Sequence, residues 1–236
     1  MRISPQISAA SIVAVGHFNP LIFGRDWLRD KEIIVGNDFE QLKTSIVHPD
    51  IVSYEMPWGT FQADRTNFSI LTTREPLVRV HDFFVRCFQF LPETPISAVG
   101  INRDVHFETA SEAARDHVGD VLAPKEFWGE FVQSGGQKTG GVRSLTMEHS
   151  IRKEGRIART DGRFGYIRVK VEPSERQDLR YGIYVQVNDH FDLVTPPDKL
   201  SDGRAVADLV TEQSERSITN SDHLIELVME LADART

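Results

Sequence analysis

Two short histidine–carboxylate pairs are the residues of this chain with the clearest capacity for chemistry. His106-x-Glu108 and His190-x-Asp192 each place an imidazole and a carboxylate two positions apart. Side chains at that spacing share one face of a β-strand, so two such strands side by side could bring four metal ligands together. This arrangement is our alternative hypothesis for a metal site. We favour the simpler interpretation, in which both pairs lie on a polar sheet face exposed to water.

A second candidate site is a cluster of basic residues in a chain whose formal net charge is −8. Residues 156–160 and 164–171 have strand character, and Asp161-Gly162 between them is a strong signal for a two-residue hairpin turn. Pairing across this turn would gather arginines and an aromatic ring on one surface. Such a surface suits a protein interface or stacked single-stranded bases, whereas the alternative is a set of exposed charges balanced by nearby acids. The predicted binding residues are Arg156, Arg159, Arg163, Tyr166 and Arg168.

The elements that would position these residues are organised around a central helix. The pattern predicts this helix over residues 76–91, after a strand at 67–73 and a Thr72-x-x-Glu75 capping box. Its apolar stripe, which includes Phe84 and Cys87, is predicted to be buried.

The strand predicted after this helix carries the first histidine. Over residues 96–108 the period changes to two, which assigns apolar and polar residues to opposite faces. Val99, Ile101, Val105 and Phe107 share the apolar face, and the polar face carries Asn102, Asp104, His106 and Glu108.

The remaining pattern predicts an α+β fold of antiparallel sheets, as meanders and a hairpin, packed against amphipathic helices. Residues 1–133 form an N-terminal half, and residues 142–236 form a strand-rich C-terminal half that ends in two helices. The glycine-rich segment 134–141 is predicted to be a flexible loop between them. Each half runs several strands and then a helix, which is compatible with two similar halves in one domain.

Composition limits the classes of function. With 40% hydrophobic and 26% charged residues the chain is expected to fold, and no window approaches the roughly 20 apolar residues of a membrane helix. The lone Cys87 cannot form an internal disulfide, which favours a reducing, cytoplasmic compartment. We expect a soluble, unprocessed protein with no membrane partner and no cofactor.

The order of elements resembles a sporadically distributed family of uncharacterised prokaryotic proteins. In that family an aromatic-bearing helix, here Val80–Leu91, is followed by a strand of Gly-hydrophobic-Arg-aromatic-x-Asn character. The counterpart here is Val99-Gly100-Ile101-Asn102-Arg103, which departs from the pattern after Gly100-Ile101. A later strand ends in acidic residues, here at Asp189 and Asp192. The resemblance implies no established activity and no catalytic residue.

Together these observations predict a non-catalytic accessory or binding protein in a bacterial mobile-element or defence context. It would act through a protein partner or as a homo-oligomer, and the basic hairpin could reach a nucleic acid. The alternative is a metal-dependent hydrolase or nuclease that uses the two histidine–carboxylate pairs.

Overall fold

The fold was determined as a computed structural model that describes residues 3–134, 137–138, 140–153, 155–194 and 200–233. The strands are β1 (Ile7–Gly16), β2 (Lys43–His48), β3 (Ile51–Met56), β4 (Gly59–Asp64), β5 (Asn67–Thr72), β6 (Ile96–Glu108), β7 (Gln133–Ser134), β8 (Gln137–Lys138), β9 (Leu145–His149), β10 (Ile151–Lys153), β11 (Arg156–Ala158), β12 (Gly165–Pro173) and β13 (Gly182–Asp192). The α-helices are α1 (Arg25–Asp30), α2 (Gly36–Glu40), α3 (Arg79–Phe90), α4 (Glu112–Leu122) and α5 (Gly203–Asp233), with 3₁₀ helices at Pro20–Phe23 and Glu126–Phe131.

Nine strands form one antiparallel sheet in the order β2-β3-β4-β5-β1-β6-β13-β12-β9. The strands β10 and β11 form a separate small hairpin, as do β7 and β8. The predicted α+β class, with antiparallel sheet packed against amphipathic helices, is therefore confirmed.

The two halves of the chain meet in the middle of this sheet. The structural halves described from here on are residues 7–90, from β1 to α3, and residues 96–233, from β6 to α5, so they divide the chain at a different place from the predicted linker. β1 opens the first structural half, β6 opens the second, and they pair antiparallel with Ile12 opposite Ile101. In each half the opening strand is followed by helices, by further strands and then by a long helix. The halves therefore share one continuous sheet. Of the predicted linker, residues 135, 136 and 139 lie outside the described residues.

The helices α3 and α5 pack on one face of the sheet, where the period-two pattern places the apolar side chains. α3 covers β1 and β5, and α5 covers β6 and β13. Beneath α3 lies an aromatic cluster in which the Phe84 ring is 5.5 Å from the Phe68 ring and 4.7 Å from the Phe88 ring, measured between centroids. The predicted burial of Phe84 and Cys87 is confirmed.

Polar residues separate the two apolar clusters that lie under the two ends of α5. The side chain of Arg103 is only 2% exposed, and it bonds Asp222 of α5 at 2.7 Å and the Ala9 carbonyl at 2.7 Å. Ser217 of α5 donates to Asp189 of β13 at 2.6 Å. α5 is thus fixed to the sheet by ionic and hydrogen-bonded contacts as well as by packing.

The predicted helix boundaries need two corrections. The central helix begins at Arg79 and not at residue 76, because the Thr72 hydroxyl bonds the Trp58 carbonyl and the Arg74 backbone instead of capping the helix. The C-terminal half ends in one helix and not in two. The Asp202 side chain caps its start, and the Ser214 hydroxyl bonds a backbone carbonyl inside the helix, so the polar middle does not break it.

We predict that Phe84→Ala lowers the free energy of unfolding by about 3–5 kcal/mol, because the ring is fully buried and its removal leaves a cavity. Phe90→Ala is the matched control on the same helix, since that ring is 46% exposed. Urea unfolding of both variants provides the measurement. A loss below about 1 kcal/mol for Phe84→Ala would contradict the assignment of α3 to the core.

Candidate binding cleft on the open sheet face

The face of the sheet opposite α3 and α5 forms a concave cleft of about 710 Å³. Its walls consist only of strand residues, from β5, β1, β6 and β13. The cleft arises because these four strands are neighbours in the sheet and each sends alternate side chains to this face. It is the surface on which the polar face predicted for β6 lies.

The two sides of the cleft differ in chemistry. β1 and β5 contribute mainly aliphatic side chains, such as Val13, Val15 and Leu71. β6 and β13 contribute hydrogen-bonding groups: Asn102, Asp104, His106, Tyr184, Gln186, Asn188 and His190. No lysine or arginine is among the described residues that line the cleft. A ligand that lies across it would meet an apolar side and a polar side.

One carboxylate organises the polar side. Asp104 accepts a hydrogen bond from the Tyr184 hydroxyl at 2.5 Å and another from the Gln186 amide at 2.8 Å. Burial and the hydrogen bond to Asp104 raise the pKa of the Tyr184 phenol well above its ordinary range. The phenol therefore stays protonated and acts as a fixed donor to Asp104.

A pair of amide side chains occupies the middle of the cleft. Asn102 and Asn188 are directly opposite each other on paired strands, and the Asn102 amide donates to the Ser11 hydroxyl at 3.2 Å. The side-chain oxygen of Asn188 is buried and accepts no hydrogen bond from the described residues. Such an acceptor normally carries a desolvation penalty, which a donor from a bound molecule or an ordered water would relieve.

Each of the two cleft histidines stacks on a tyrosine. The His106 ring lies 4.6 Å from the Tyr184 ring, and the His190 ring lies 4.6 Å from the Tyr166 ring. Burial is the main cause that lowers the pKa of both imidazoles, with a further contribution from Arg176 at His106 and from Arg168 at His190. Both histidines are therefore expected to be neutral at pH 7.

The structure does not bring the four proposed metal ligands together. His106 is opposite Tyr184 and His190 is opposite Gly100, so the two histidines are six residues apart along paired strands, roughly 20 Å. Among the described residues, no group of three or more histidine, cysteine, aspartate or glutamate side chains could hold a metal ion.

The two carboxylates of those pairs have structural partners. Glu108 accepts a hydrogen bond from the Tyr181 backbone at 2.6 Å. Asp192 bonds Arg156 at 3.0 Å and accepts from the Val194 backbone at 3.1 Å. These contacts fix the ends of β6 and β13, so the two histidine–carboxylate motifs mark strand ends at opposite ends of the cleft.

The predicted basic hairpin needs correction. β11 pairs with β10, and its contact with the strand that follows the turn is a single bridge between Ala158 and Phe164. β12 instead lies between β9 and β13, because its alternating pattern continues the large sheet. The predicted arginines therefore do not share one face.

Each arginine of the predicted surface forms an ion pair with an acidic side chain of the same chain. Arg159 is buried, with its guanidinium on Asp189 and Asp161 and stacked over the Phe191 ring. The other ion pairs join Arg156 to Asp192, Arg163 to Glu212 and Arg168 to Glu148. Of the five predicted residues, Tyr166 and Arg168 remain beside the cleft, where the guanidinium lies 4.3 Å from the tyrosine ring.

The prediction from sequence missed Tyr184, Gln186 and Ser11 as cleft residues. The signal for the first two was present, because they have the same parity along β13 as Asn188 and His190. Ser11 gave no such signal, since β1 is apolar and small on both faces. Only its pairing with β6 shows which side faces the cleft.

Comparison with known proteins adds no assignment: the chain matches no protein-family model and no curated protein. The resemblance to the sporadically distributed prokaryotic family therefore stays a prediction. Within the described part of the chain, no helix has the length and apolar character needed to cross a membrane.

We predict that Arg159→Ala destabilises the fold by about 3–5 kcal/mol, because it leaves the buried Asp189 carboxylate without its cation. Arg163→Ala removes an exposed ion pair with Glu212 and should cost about 0–1 kcal/mol. Urea unfolding at neutral pH compares the two variants. Equal small losses would show that Arg159 is solvated, as the predicted surface requires.

We predict that protonation of His190 contributes to acid destabilisation. Its pKa in the folded state lies below the ordinary value of 6.5, chiefly through burial. Well above pH 6.5 both states are neutral at this site and stability is unaffected. As the pH falls below 6.5 the unfolded chain binds the proton first, so the free energy of unfolding decreases until the pH passes the folded-state pKa.

The test for this pH effect is urea unfolding at several pH values between 7.5 and 5 for the parent and His190→Gln. The variant should lose less stability across this range, and His106→Gln should behave in the same direction. Parallel profiles for the parent and both variants would contradict the shifted pKa values.

Proposed function

We propose that this chain is a non-catalytic binding protein that recognises a polypeptide segment in the cleft on the open face of its sheet. The observation that carries the proposal is the combination of an apolar side from β1 and β5 with an amide-rich side from β6 and β13. A polypeptide offers matching groups, since its backbone amides pair with side-chain amides and its apolar side chains contact aliphatic walls.

The charge of the cleft supports a polypeptide over a nucleic acid. Asp104 is the only lining residue among those described that is charged at pH 7 when both histidines are neutral. Binding of nucleic acids relies on lysine and arginine side chains that neutralise phosphates, and the cleft offers none. Arg168 and Lys170 are two positions apart on β12, but they pair with Glu148 and Glu172.

Specificity in this proposal comes from the unpaired acceptor of Asn188. A segment that donates a hydrogen bond to this oxygen gains the bond and removes an existing desolvation penalty. A segment that offers an acceptor there gains neither. The neighbouring Asp104 has two donors of its own, so the middle of the cleft favours occupants with donors aligned to Asn188.

The test uses a variant that fills the cleft. Gly100 lies on its floor, and a Cβ atom added there would be 3.6 Å from the Asn188 amide, an ordinary contact, so a side chain can start at this position and the ring of Gly100→Trp would occupy the cleft. The matched control is Thr60→Trp, which adds the same side chain to the same sheet face at an exposed position outside the cleft.

A photo-crosslinking amino acid at Ser69, which lines the cleft, is activated in cells that naturally express the protein. We expect a crosslinked adduct that is removed by protease and not by nuclease. This adduct should be absent in Gly100→Trp and present in Thr60→Trp. A nuclease-sensitive adduct would show a nucleic-acid partner instead. If the same adduct forms in Gly100→Trp, the cleft is not the binding site.

A further inference from the structure

The two outer strands of the nine-stranded sheet differ in how they are protected from pairing with another chain. β2, at one edge, has an irregular register between Thr44 and Ile46 and carries Lys43. A bulge and a lysine are features that prevent edge-to-edge pairing. β9, at the other edge, pairs with β12 in regular register over all five of its residues.

β9 lacks those protective features. It contains no lysine or proline, its one acid, Glu148, is paired with Arg168, and the side chain of Met147 in its middle is 62% exposed. Within the described residues no strand occupies its outer edge. Unpaired backbone groups on a regular edge that lacks lysine, proline and a bulge are a template for another strand.

Complementary surfaces lie at the two ends of β9. Near Leu145, the 3₁₀ helix Glu126–Phe131 exposes Phe127, Trp128 and Phe131 together with two acids, and this surface is called the acidic aromatic patch. Just beyond His149, the β10–β11 hairpin exposes Ile151, Arg152, Lys153 and Ile157, and this surface is called the basic hairpin tip. Exposed aromatic residues in such numbers mark interaction sites in soluble proteins.

The acidic aromatic patch and the basic hairpin tip cannot meet within one chain, because they lie at opposite ends of a five-residue strand, roughly 17 Å. Antiparallel pairing of β9 with β9 of a second copy reverses one strand against the other. A two-fold axis through Met147 would place Leu145 opposite His149 of the second copy, so the segment before Leu145 would lie beside the segment after His149.

Val142 lines one cavity, of about 370 Å³, together with Trp128 and Phe131. Two basic residues, Lys125 and Arg143, also line this cavity, and they form ion pairs with Asp120 and Glu175. The β9–β9 pairing would therefore place the basic hairpin tip of each copy beside the acidic aromatic patch of the other. Arg152 and Lys153 would meet Glu126 and Glu130 and the neighbouring rings, which suits ion pairs and cation–π contacts. The match occurs twice, as a two-fold interface requires.

We propose that this protein forms a symmetric homodimer through antiparallel β9–β9 pairing, with the acidic aromatic patch of each copy on the basic hairpin tip of the other. The pairing extends the sheet across both copies and keeps the two clefts on the same side. The dimer does not depend on the function proposed for the cleft.

Sedimentation equilibrium of the full chain tests the proposal. The parent should be a dimer that dissociates on dilution. Met147→Lys places two like charges opposite each other on the symmetry axis and should weaken dimerisation at least about tenfold. Ile46→Lys is the matched control on the edge strand β2 and should leave the dissociation constant unchanged. A parent that stays monomeric to about 100 µM, or a dimer that only Ile46→Lys weakens, would overturn the proposal.

A charge reversal tests the reciprocal contact independently, in case Met147→Lys impairs folding. Glu130→Lys should weaken the dimer roughly 2- to 30-fold, because two exposed ion pairs are lost per dimer. Adding Arg152→Glu to the same chain should restore the affinity, because each chain contributes one residue to each pair. If the double variant is as weak as or weaker than Glu130→Lys alone, the contact between patch and hairpin is wrong.

Discussion

The pairing of β1 with β6 is the constraint on which the rest of the structure depends. Each half of the chain supplies strands and a long helix, and each would present an open sheet edge without the other. The ladder between β1 and β6 removes both edges and is antiparallel, so it places the helices of both halves on the same face. The opposite face is then left without helices across the junction, and the cleft lies there.

The same junction explains why a charged residue is buried in the middle of the sheet. Arg103 lies opposite Ala10, a residue too small to fill the space below α5, and its guanidinium reaches Asp222 and the Ala9 carbonyl. A buried ion pair is weak support for stability, because desolvation offsets much of the attraction. The ion pair has a clearer effect on the position of α5. Asp222 can bond Arg103 while Ser217 bonds Asp189 only when α5 lies in one register on the sheet.

The fold was predictable from sequence wherever the hydrophobic period was clear. The period of two in β6 assigned its two faces correctly, and the apolar stripe of α3 correctly identified Phe84 as core. Prediction failed where contacts between residues distant in sequence determine the structure. The Asp161-Gly162 turn is real, but its flanking strands have other partners, and the arginine-rich sequence gave no indication that Asp189 would bury Arg159. Strand parity placed His106 and His190 on the polar face, yet only the register shows how far apart they are.

The cleft derives its asymmetry from two halves that share an architecture but not a sequence. Facing positions on β1 and β5 carry aliphatic and small side chains, and those on β6 and β13 carry amides, imidazoles and a phenol. A symmetric face would bind an occupant equally well in two orientations related by the axis between β1 and β6. Because one side is apolar and the other is polar, reversing the occupant would place its polar groups against Val13 and Val15, where they find no partner. Burial of an unpaired polar group costs about 1–3 kcal/mol, so two or three such mismatches fix the orientation of an occupant without any charged contact.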